Sequence, residues 1–250
     1  MFTLLALALA LLPQLVDKTK QALPPPPAAD LSPERRGDIF MARKMYREAV
    51  DSYQAALRAS PQSYMLYNKL GIAHHQQLQL DQAQRYYERA VRLNRKYSEA
   101  VNNIGTIHYA RGRYRSAISQ YRKALDLSPN SASIHSNLGT AYFARKRFKE
   151  ASDHYLIAVK LDPEIFEHRS TVGSLLQERS VQDRARFHYY MAKTYAAAGY
   201  FDRALLYLRR ALEEGFKERD KIVDEAEFAA MRDKPEFQEL LTANLPVIQR

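Results

Sequence analysis

The distribution of apolar residues divides the chain into a short amino-terminal run and a longer patterned part. Residues 2–12 (FTLLALALALL) are apolar without interruption and are followed by Pro13. From about residue 32 onward, apolar residues recur with the period of amphipathic helices, and short polar turns separate the helical stretches. The sequence therefore predicts an all-α chain preceded by a segment of different character.

The amino-terminal run has the length of a signal-peptide core. Its eleven residues fall short of the ~20 that a membrane-spanning helix needs, and small residues follow at Ala22, Ala28 and Ala29. No positive charge precedes the run, so a plain hydrophobic helix is the alternative. We expect residues 1–22 to be a signal peptide or an amino-terminal hydrophobic segment. The protein would be exported, periplasmic or envelope-associated, in the first case and cytoplasmic in the second.

In the patterned part, the same residue types recur every 34 positions. A glycine is followed 12, 16 and 19 residues later by alanine, tyrosine and alanine, in four successive units. The residues are Gly37, Ala49, Tyr53 and Ala56; Gly71, Ala83, Tyr87 and Ala90; Gly105, Ala117, Tyr121 and Ala124; and Gly139, Ala151, Tyr155 and Ala158. Small residues allow two antiparallel helices to approach, and tyrosine fills the space left beside them. The pattern predicts repeated helix pairs.

These residues resemble the tetratricopeptide repeat family over roughly residues 30–165. The resemblance implies a right-handed α-solenoid with a carboxy-terminal helical cap. It gives the following organisation: a Pro-rich linker over 23–31, four units over 32–165, an extra helix or irregular unit over 166–184, a further unit over 185–218, and a cap and tail over 219–250. The register between residues 166 and 199 is open, because the strong segment 192–215 lies about nineteen positions out of phase.

In this family the first helix of each unit lines a concave groove that binds partner segments. Carried over by position, the groove residues are Asn68, Lys69, His75, Asn102, Asn103, Thr106, Tyr109, Asn137, Thr140 and Phe143. Asn103 and Asn137 match the place where peptide-guiding superhelices of the family carry an asparagine row. Amides both donate and accept, so we expect them to hold the backbone of an extended segment, and the rings of His75, Tyr109 and Phe143 to accept its side chains. In the alternative interpretation the asparagines cap neighbouring turns and the rings belong to the core.

Basic residues are concentrated in the turns between paired helices. Because such turns stack along one edge of a solenoid, they predict a basic edge, formed by Arg111, Arg113, Arg115, Arg145, Lys146 and Arg147. This edge would attract anionic lipid or an acidic protein; a solvated surface without a partner is the alternative. No nucleic-acid-reading motif accompanies the charge.

The composition and the motifs argue against catalysis. The chain has 38 Lys and Arg against 28 Asp and Glu, a net charge of +10, and no Cys. Thiol nucleophiles and the usual zinc sets are therefore excluded. None of the seven histidines forms an HExxH pair, and no GxSxG, Walker or dinucleotide motif occurs. We expect no enzyme activity, no catalytic residues, no metal and no cofactor.

The sequence thus favours a non-catalytic scaffold or adaptor that binds a protein or peptide in a concave groove. Two alternatives remain. The chain could be an envelope protein that contacts an anionic membrane or an acidic partner through its basic edge. It could also be an accessory subunit of a larger enzyme or secretion complex.

Overall fold

The computed structural model describes residues 31–167 and 181–243. Over these residues the chain forms α-helices and one 3-10 helix, Ala226–Met231. The α-helices are α1 (Pro33–Ala42), α2 (Tyr46–Ala59), α3 (Tyr64–Gln76), α4 (Leu80–Leu93), α5 (Ser98–Ala110), α6 (Tyr114–Leu127), α7 (Ala132–Ala144), α8 (Phe148–Leu161), α9 (Val181–Ala197), α10 (Phe201–Glu213), α11 (Arg219–Ile222) and α12 (Pro235–Thr242). Each of α1 to α8 packs mainly against its neighbours in sequence, and the predicted all-α solenoid is confirmed. We call α1–α2 to α7–α8 repeats 1 to 4, and α9–α10 the fifth pair.

The two helices of each repeat are held together by a glycine on the first and a tyrosine on the second. A Cβ placed on Gly37 would be 2.4 Å from Cε1 of Tyr53, and one on Gly139 would be 2.6 Å from the ring of Tyr155. No methyl group fits into such a gap. Glycine therefore allows the buried aromatic ring to lie directly on the backbone of the first helix.

The fifth pair uses other residues at the same spacing. Ala192 and Leu208 are sixteen positions apart, as Gly37 and Tyr53 are, and both are fully buried. Alanine is larger than glycine, and leucine is smaller than tyrosine. The combined volume of the two side chains therefore stays nearly the same as in repeats 1 to 4.

The turn between the helices of each repeat places one residue in the left-handed region. The φ angle is +69° at Gly112, where it costs nothing, but about +60° at Lys44, Leu78 and Lys146, where a side chain makes it less favourable. These turns bring the residues of the predicted basic edge to the surface.

The chain after α10 packs against the fifth pair. Tyr189 of α9 stacks on Phe216 with ring centroids 4.2 Å apart, and its hydroxyl donates to Oε1 of Glu225 at 2.7 Å. Phe228 and Phe237 of the same segment are fully buried. These contacts cover the apolar face of the last pair. Most of the extra helix or irregular unit predicted over 166–184 lies outside the described residues.

Candidate functional site

Three contacts of the same kind connect the first helices of successive repeats. In each, a side chain donates to the residue 35 positions earlier: Lys69 Nζ to Glu34 Oε1 at 2.8 Å, Asn103 Nδ2 to Asn68 Oδ1 at 2.9 Å, and Asn137 Nδ2 to Asn102 Oδ1 at 3.0 Å. The separation of 35 residues is one more than the repeat length of 34. Each donor therefore follows, by one residue, the position in its own repeat that corresponds to the acceptor. The 34-residue period therefore produces a regular row of contacts along the first helices.

The four asparagines form one continuous chain of hydrogen bonds, which we call the amide ladder (Asn68, Asn102, Asn103 and Asn137). Asn102 Nδ2 donates to Asn103 Oδ1 at 3.4 Å, which joins the two inter-repeat contacts. At the far end, Asn68 Nδ2 donates to the hydroxyl of Tyr97 at 3.2 Å. The sense from donor to acceptor is the same at every step, from Asn137 to Tyr97, so that each hydrogen bond polarises the next.

The amide ladder retains hydrogen-bonding capacity. An Asn amide has two N–H groups and two acceptor lone pairs, and each bond of the ladder uses one N–H of its donor and one lone pair of its acceptor. Asn102, Asn103 and Asn137 are half-buried, so each of these residues is partly open to the surface. Asn68 is only 5% exposed, enclosed between Tyr97 and Asn103. The expectation that Asn68 faces a partner is therefore wrong; it supports Asn103.

At the amino-terminal end, the row of contacts changes from amides to an ion pair. Lys69 Nζ lies 2.8 Å from Glu34 Oε1 and 2.7 Å from Asp38 Oδ1. Burial acts to lower the pKa of Lys69, but the hydrogen bonds to Asp38 and Glu34 outweigh it, and the pKa is raised. The ammonium group stays charged and is held by carboxylates of repeat 1. Its hydrogen bonds therefore serve the junction between repeats 1 and 2.

The two threonines predicted in the groove are buried. Thr106 accepts from the hydroxyl of Tyr121 at 3.3 Å, and Thr140 accepts from that of Tyr155 at the same distance. Their own hydroxyls donate to main-chain carbonyls one turn earlier. Both threonines thus satisfy the polar atoms of the tyrosines that close the repeats, and the prediction that they face a partner is wrong.

The predicted row of accessible rings is also wrong for two of its three members. Tyr109 and Phe143 are 6% and 3% exposed. Phe143 packs edge-on against Phe148 and Phe187, with centroids 5.2 and 5.6 Å away. His75 is half-buried, and burial lowers the pKa of its imidazole. The core interpretation of these rings holds for Tyr109 and Phe143.

Two residues that sequence reasoning did not select lie beside the amide ladder. Tyr97 ends the ladder, as described above, and packs edge-on against Tyr64 with ring centroids 4.8 Å apart. Met65 is 50% exposed and precedes Asn68 and Lys69 by three and four positions, which places it on the same helix face. The helical spacing alone would have identified Met65. Tyr97 could not be found in this way, since it lies in the turn before α5.

The basic edge is partly neutralised. Arg111 pairs with Asp81 and also donates to Gln84, both on α4 of the preceding repeat. Arg147 Nε donates to Glu150 Oε1 at 2.7 Å, and the guanidinium lies over the ring of Tyr142. Arg113, Arg115 and Lys146 are exposed, and Arg145 is half-buried. The edge therefore offers its positive charge mainly through three of the six predicted residues.

Residues 31–167 and 181–243 provide no group of three or more His, Cys, Asp or Glu side chains that could hold a metal ion. Over the same part of the chain, no helix has the length and the apolar character that crossing a bilayer requires.

Comparisons with known proteins agree with this architecture. Profiles described as TPR repeat match residues 37–77 and 105–144, and profiles described as tetratricopeptide repeat match residues 132–165 and 66–97. No curated protein matches the sequence.

Among solved structures, a MamA fragment from Desulfovibrio magneticus RS-1 has a TM-score of 0.50 at 15% identity, covering 73% of this chain and 92% of that one. Another MamA structure has a TM-score of 0.49 at 20% identity, covering 71% and 93%. YrrB, described as a TPR protein with an unusual peptide-binding site, has a TM-score of 0.47 at 17% identity, covering 74% and 86%.

Proposed function

Because the chain is a tetratricopeptide repeat protein, we propose that it is a non-catalytic scaffold that holds an extended segment of a partner protein along the amide ladder. The observation that carries the proposal is the ladder itself. It runs across three repeats, is built by the repeat period, and keeps unused donors and acceptors at half-buried asparagines.

The chemistry of the ladder suits a polypeptide backbone. An extended segment presents alternating C=O and N–H groups. The bonds of the ladder leave one N–H and one lone pair at Asn102 and at Asn103, and one N–H and both lone pairs at Asn137. Because the ladder is already hydrogen-bonded internally, the orientation of each amide is fixed before a partner arrives, which lowers the entropic cost of binding. The ladder would then bind the backbone of the partner, and the binding would depend little on the partner's sequence.

Side-chain recognition would come from residues next to the ladder. Met65 offers an unbranched, polarisable surface that adapts to different apolar side chains. Tyr64 and Tyr97 form an aromatic pair beside it. An apolar residue of the partner is therefore expected near the junction of repeats 2 and 3.

A peptide array tests the proposal. Binding of array peptides to the wild-type protein is compared with binding to the double variant Asn103→Ala, Asn137→Ala, which removes two accessible amides. The matched control is Asn130→Ala, an exposed asparagine in the turn before α7. We expect the double variant to lose at least about tenfold in affinity, the loss of one to two net hydrogen bonds, and the control to bind as the wild type does. Equal binding by all three proteins would count against the ladder.

The basic edge supports a second function, attachment to an anionic surface. Arg113 and Lys146 are exposed on turns of successive repeats, and Arg115 is exposed in the first turn of α6. Sedimentation with phosphatidylserine vesicles at rising salt tests it, because attachment by exposed charges fades as the Debye length shortens. Binding that is absent at low salt, or unchanged in Arg113→Ser, Arg115→Ser, Lys146→Ser, would contradict it.

Export and assembly are further proposals. Residues 1–30 lie outside the described residues, so export rests on the apolar run alone. Amino-terminal sequencing of the protein from its native source tests it: a new terminus near residue 22 supports cleavage, and an intact start contradicts it. Co-purification from that source tests whether the scaffold is a subunit of a larger enzyme or secretion complex.

A further inference from the structure

Two histidines of repeat 4 face each other, one of them buried and the other half-buried. His135 on α7 is 7% exposed, and its Nδ1 lies 3.0 Å from Nδ1 of His154 on α8. On the other side of the ring, His135 Nε2 lies 2.9 Å from the main-chain carbonyl of Pro129, in the turn between α6 and α7. The two imidazoles therefore connect three parts of the chain: that turn, α7 and α8.

The hydrogen positions follow from the acceptors. The carbonyl of Pro129 can only accept, so His135 carries a hydrogen on Nε2 and, when neutral, a lone pair on Nδ1. His154 then carries a hydrogen on Nδ1 and donates it to His135. Both hydrogen bonds are made when both rings are neutral.

The pair can take up one proton without losing a hydrogen bond, but not two. A proton on Nε2 of His154 leaves both hydrogen bonds in place. A second proton must go to Nδ1 of His135, where it points at the N–H of His154 across 3.0 Å. The bond between the rings is then lost, and two positive charges face each other at a site that is partly shielded from water.

The groups around the pair act mainly against protonation. His154 stacks on Tyr142 with an interplanar angle of 6°, and the guanidinium groups of Arg122 and Arg147 lie over the same tyrosine ring. Asp153, next to His154, acts in the opposite sense. Burial, followed by the His135 and Arg122 charges, lowers the pKa of His154.

We propose that His135 and His154 form a proton-sensitive lock that holds repeat 4 closed at neutral pH and loosens it in acid. In the unfolded chain both imidazoles take up protons near pH 6.5, whereas the folded pair resists the second proton. The contribution to stability is therefore complete above about pH 6.5 and is lost as the pH falls below it. His135 directly precedes Ser136 and Asn137, so the loosening reaches the last residue of the amide ladder.

Hydrogen exchange of the full chain tests the lock without any partner, so its failure is separate from failure of the proposed function. Between pH 7.5 and 5.0, after correction for intrinsic exchange, we expect protection of α7 and α8 to fall by about thirtyfold, because one extra proton is taken up on opening over the roughly 1.5 pH units below pH 6.5. In His154→Gln, the amide N–H donates to Nδ1 of neutral His135, and after a turn of the amide its oxygen accepts from Nδ1–H of protonated His135, so that His135 can take up its proton without losing a hydrogen bond. The fall should then be less than about twofold.

A matched control is His108→Gln, a histidine of repeat 3 whose pKa is also lowered by burial. It should leave the pH response of α7 and α8 unchanged. An equal response in His154→Gln would overturn the lock. Nitrogen-15 spectra of the wild-type imidazoles provide a second measurement that needs no variant. They should show at most one charged ring while α7 and α8 stay protected; two charged rings with full protection would overturn the proposal.

Discussion

Gly71 lies so close to the ring of Tyr87 that a Cβ on the glycine would be 2.4 Å from Cε1 of the tyrosine. The same relationship recurs in repeats 1, 3 and 4, whereas the fifth pair has Ala192 and Leu208 at these positions. The chain thus contains two solutions to the same packing problem, and they can be exchanged by mutation.

The exchange predicts coupling between the two positions of repeat 2. Gly71→Ala should lower the free energy of unfolding by about 1–3 kcal/mol, because the methyl group displaces the buried ring. Tyr87→Leu alone should also destabilise, because it leaves a cavity. The double variant Gly71→Ala, Tyr87→Leu should lose clearly less than the sum of the two, since it copies the fifth pair. Urea unfolding followed by circular dichroism measures all three; strictly additive losses would contradict the packing account.

The amide ladder should contribute to stability as well as to binding. Asn103→Ala removes the donor to Asn68 and the acceptor of Asn102, and leaves buried Asn68 with an unsatisfied oxygen. We expect a loss of about 1–2 kcal/mol in the free energy of unfolding. Asn130→Ala, at an exposed turn, serves as the control and should change it by less than about 0.5 kcal/mol. An Asn103→Ala protein as stable as the wild type would mean that the ladder is not formed in solution.

The carboxy-terminal cap should detach in acid. Burial acts to raise the pKa of Glu225, but its hydrogen bonds with Lys193 and Tyr189 outweigh it and lower the pKa. A carboxyl whose pKa is lowered on folding stabilises the protein above its unfolded pKa of about 4.3, and this contribution is lost as the pH falls through the lower folded value.

Glu225→Gln removes the charge and keeps the shape. At pH 7 we expect it to lower the free energy of unfolding by about 1 kcal/mol, and to reduce the loss of stability that the wild type shows between about pH 4.5 and 3. The control is Glu236→Gln, at an exposed position of α12. If the two variants behave alike, Glu225 does not hold the cap.

The sequence predicts contacts between residues of the same repeat better than contacts between different repeats. The period identifies the helix pairs, because Gly71 and Tyr87 are in fixed positions of one unit and pack on each other. It also places the asparagines on one face of successive helices. It does not reveal burial, which depends on contacts between units or from turns. Asn68 is covered by Tyr97, from the turn that precedes the next repeat.

The same reason explains the errors at the threonines and the rings. The position of Thr106 in the 34-residue repeat assigns it to the groove. In the structure, however, the hydroxyl of Tyr121 reaches it from the second helix of the same repeat. Phe143 is covered by Phe148 and by Phe187 of α9, and α9 lies beyond the point where the 34-residue register is lost. Side chains of this kind can be assigned only when the neighbouring elements have been placed.

Site-specific photo-crosslinking tests the central claim, that a partner segment lies along the amide ladder, most directly. A photoreactive phenylalanine analogue is placed at Met65, beside the ladder, and separately at Leu161, an exposed position at the end of α8. After illumination in the native cells, we expect a discrete protein adduct from position 65 and none from position 161. The adduct should disappear in the Asn103→Ala, Asn137→Ala background. A partner captured at position 161 but not at position 65, or an adduct indifferent to the two asparagines, would contradict the account.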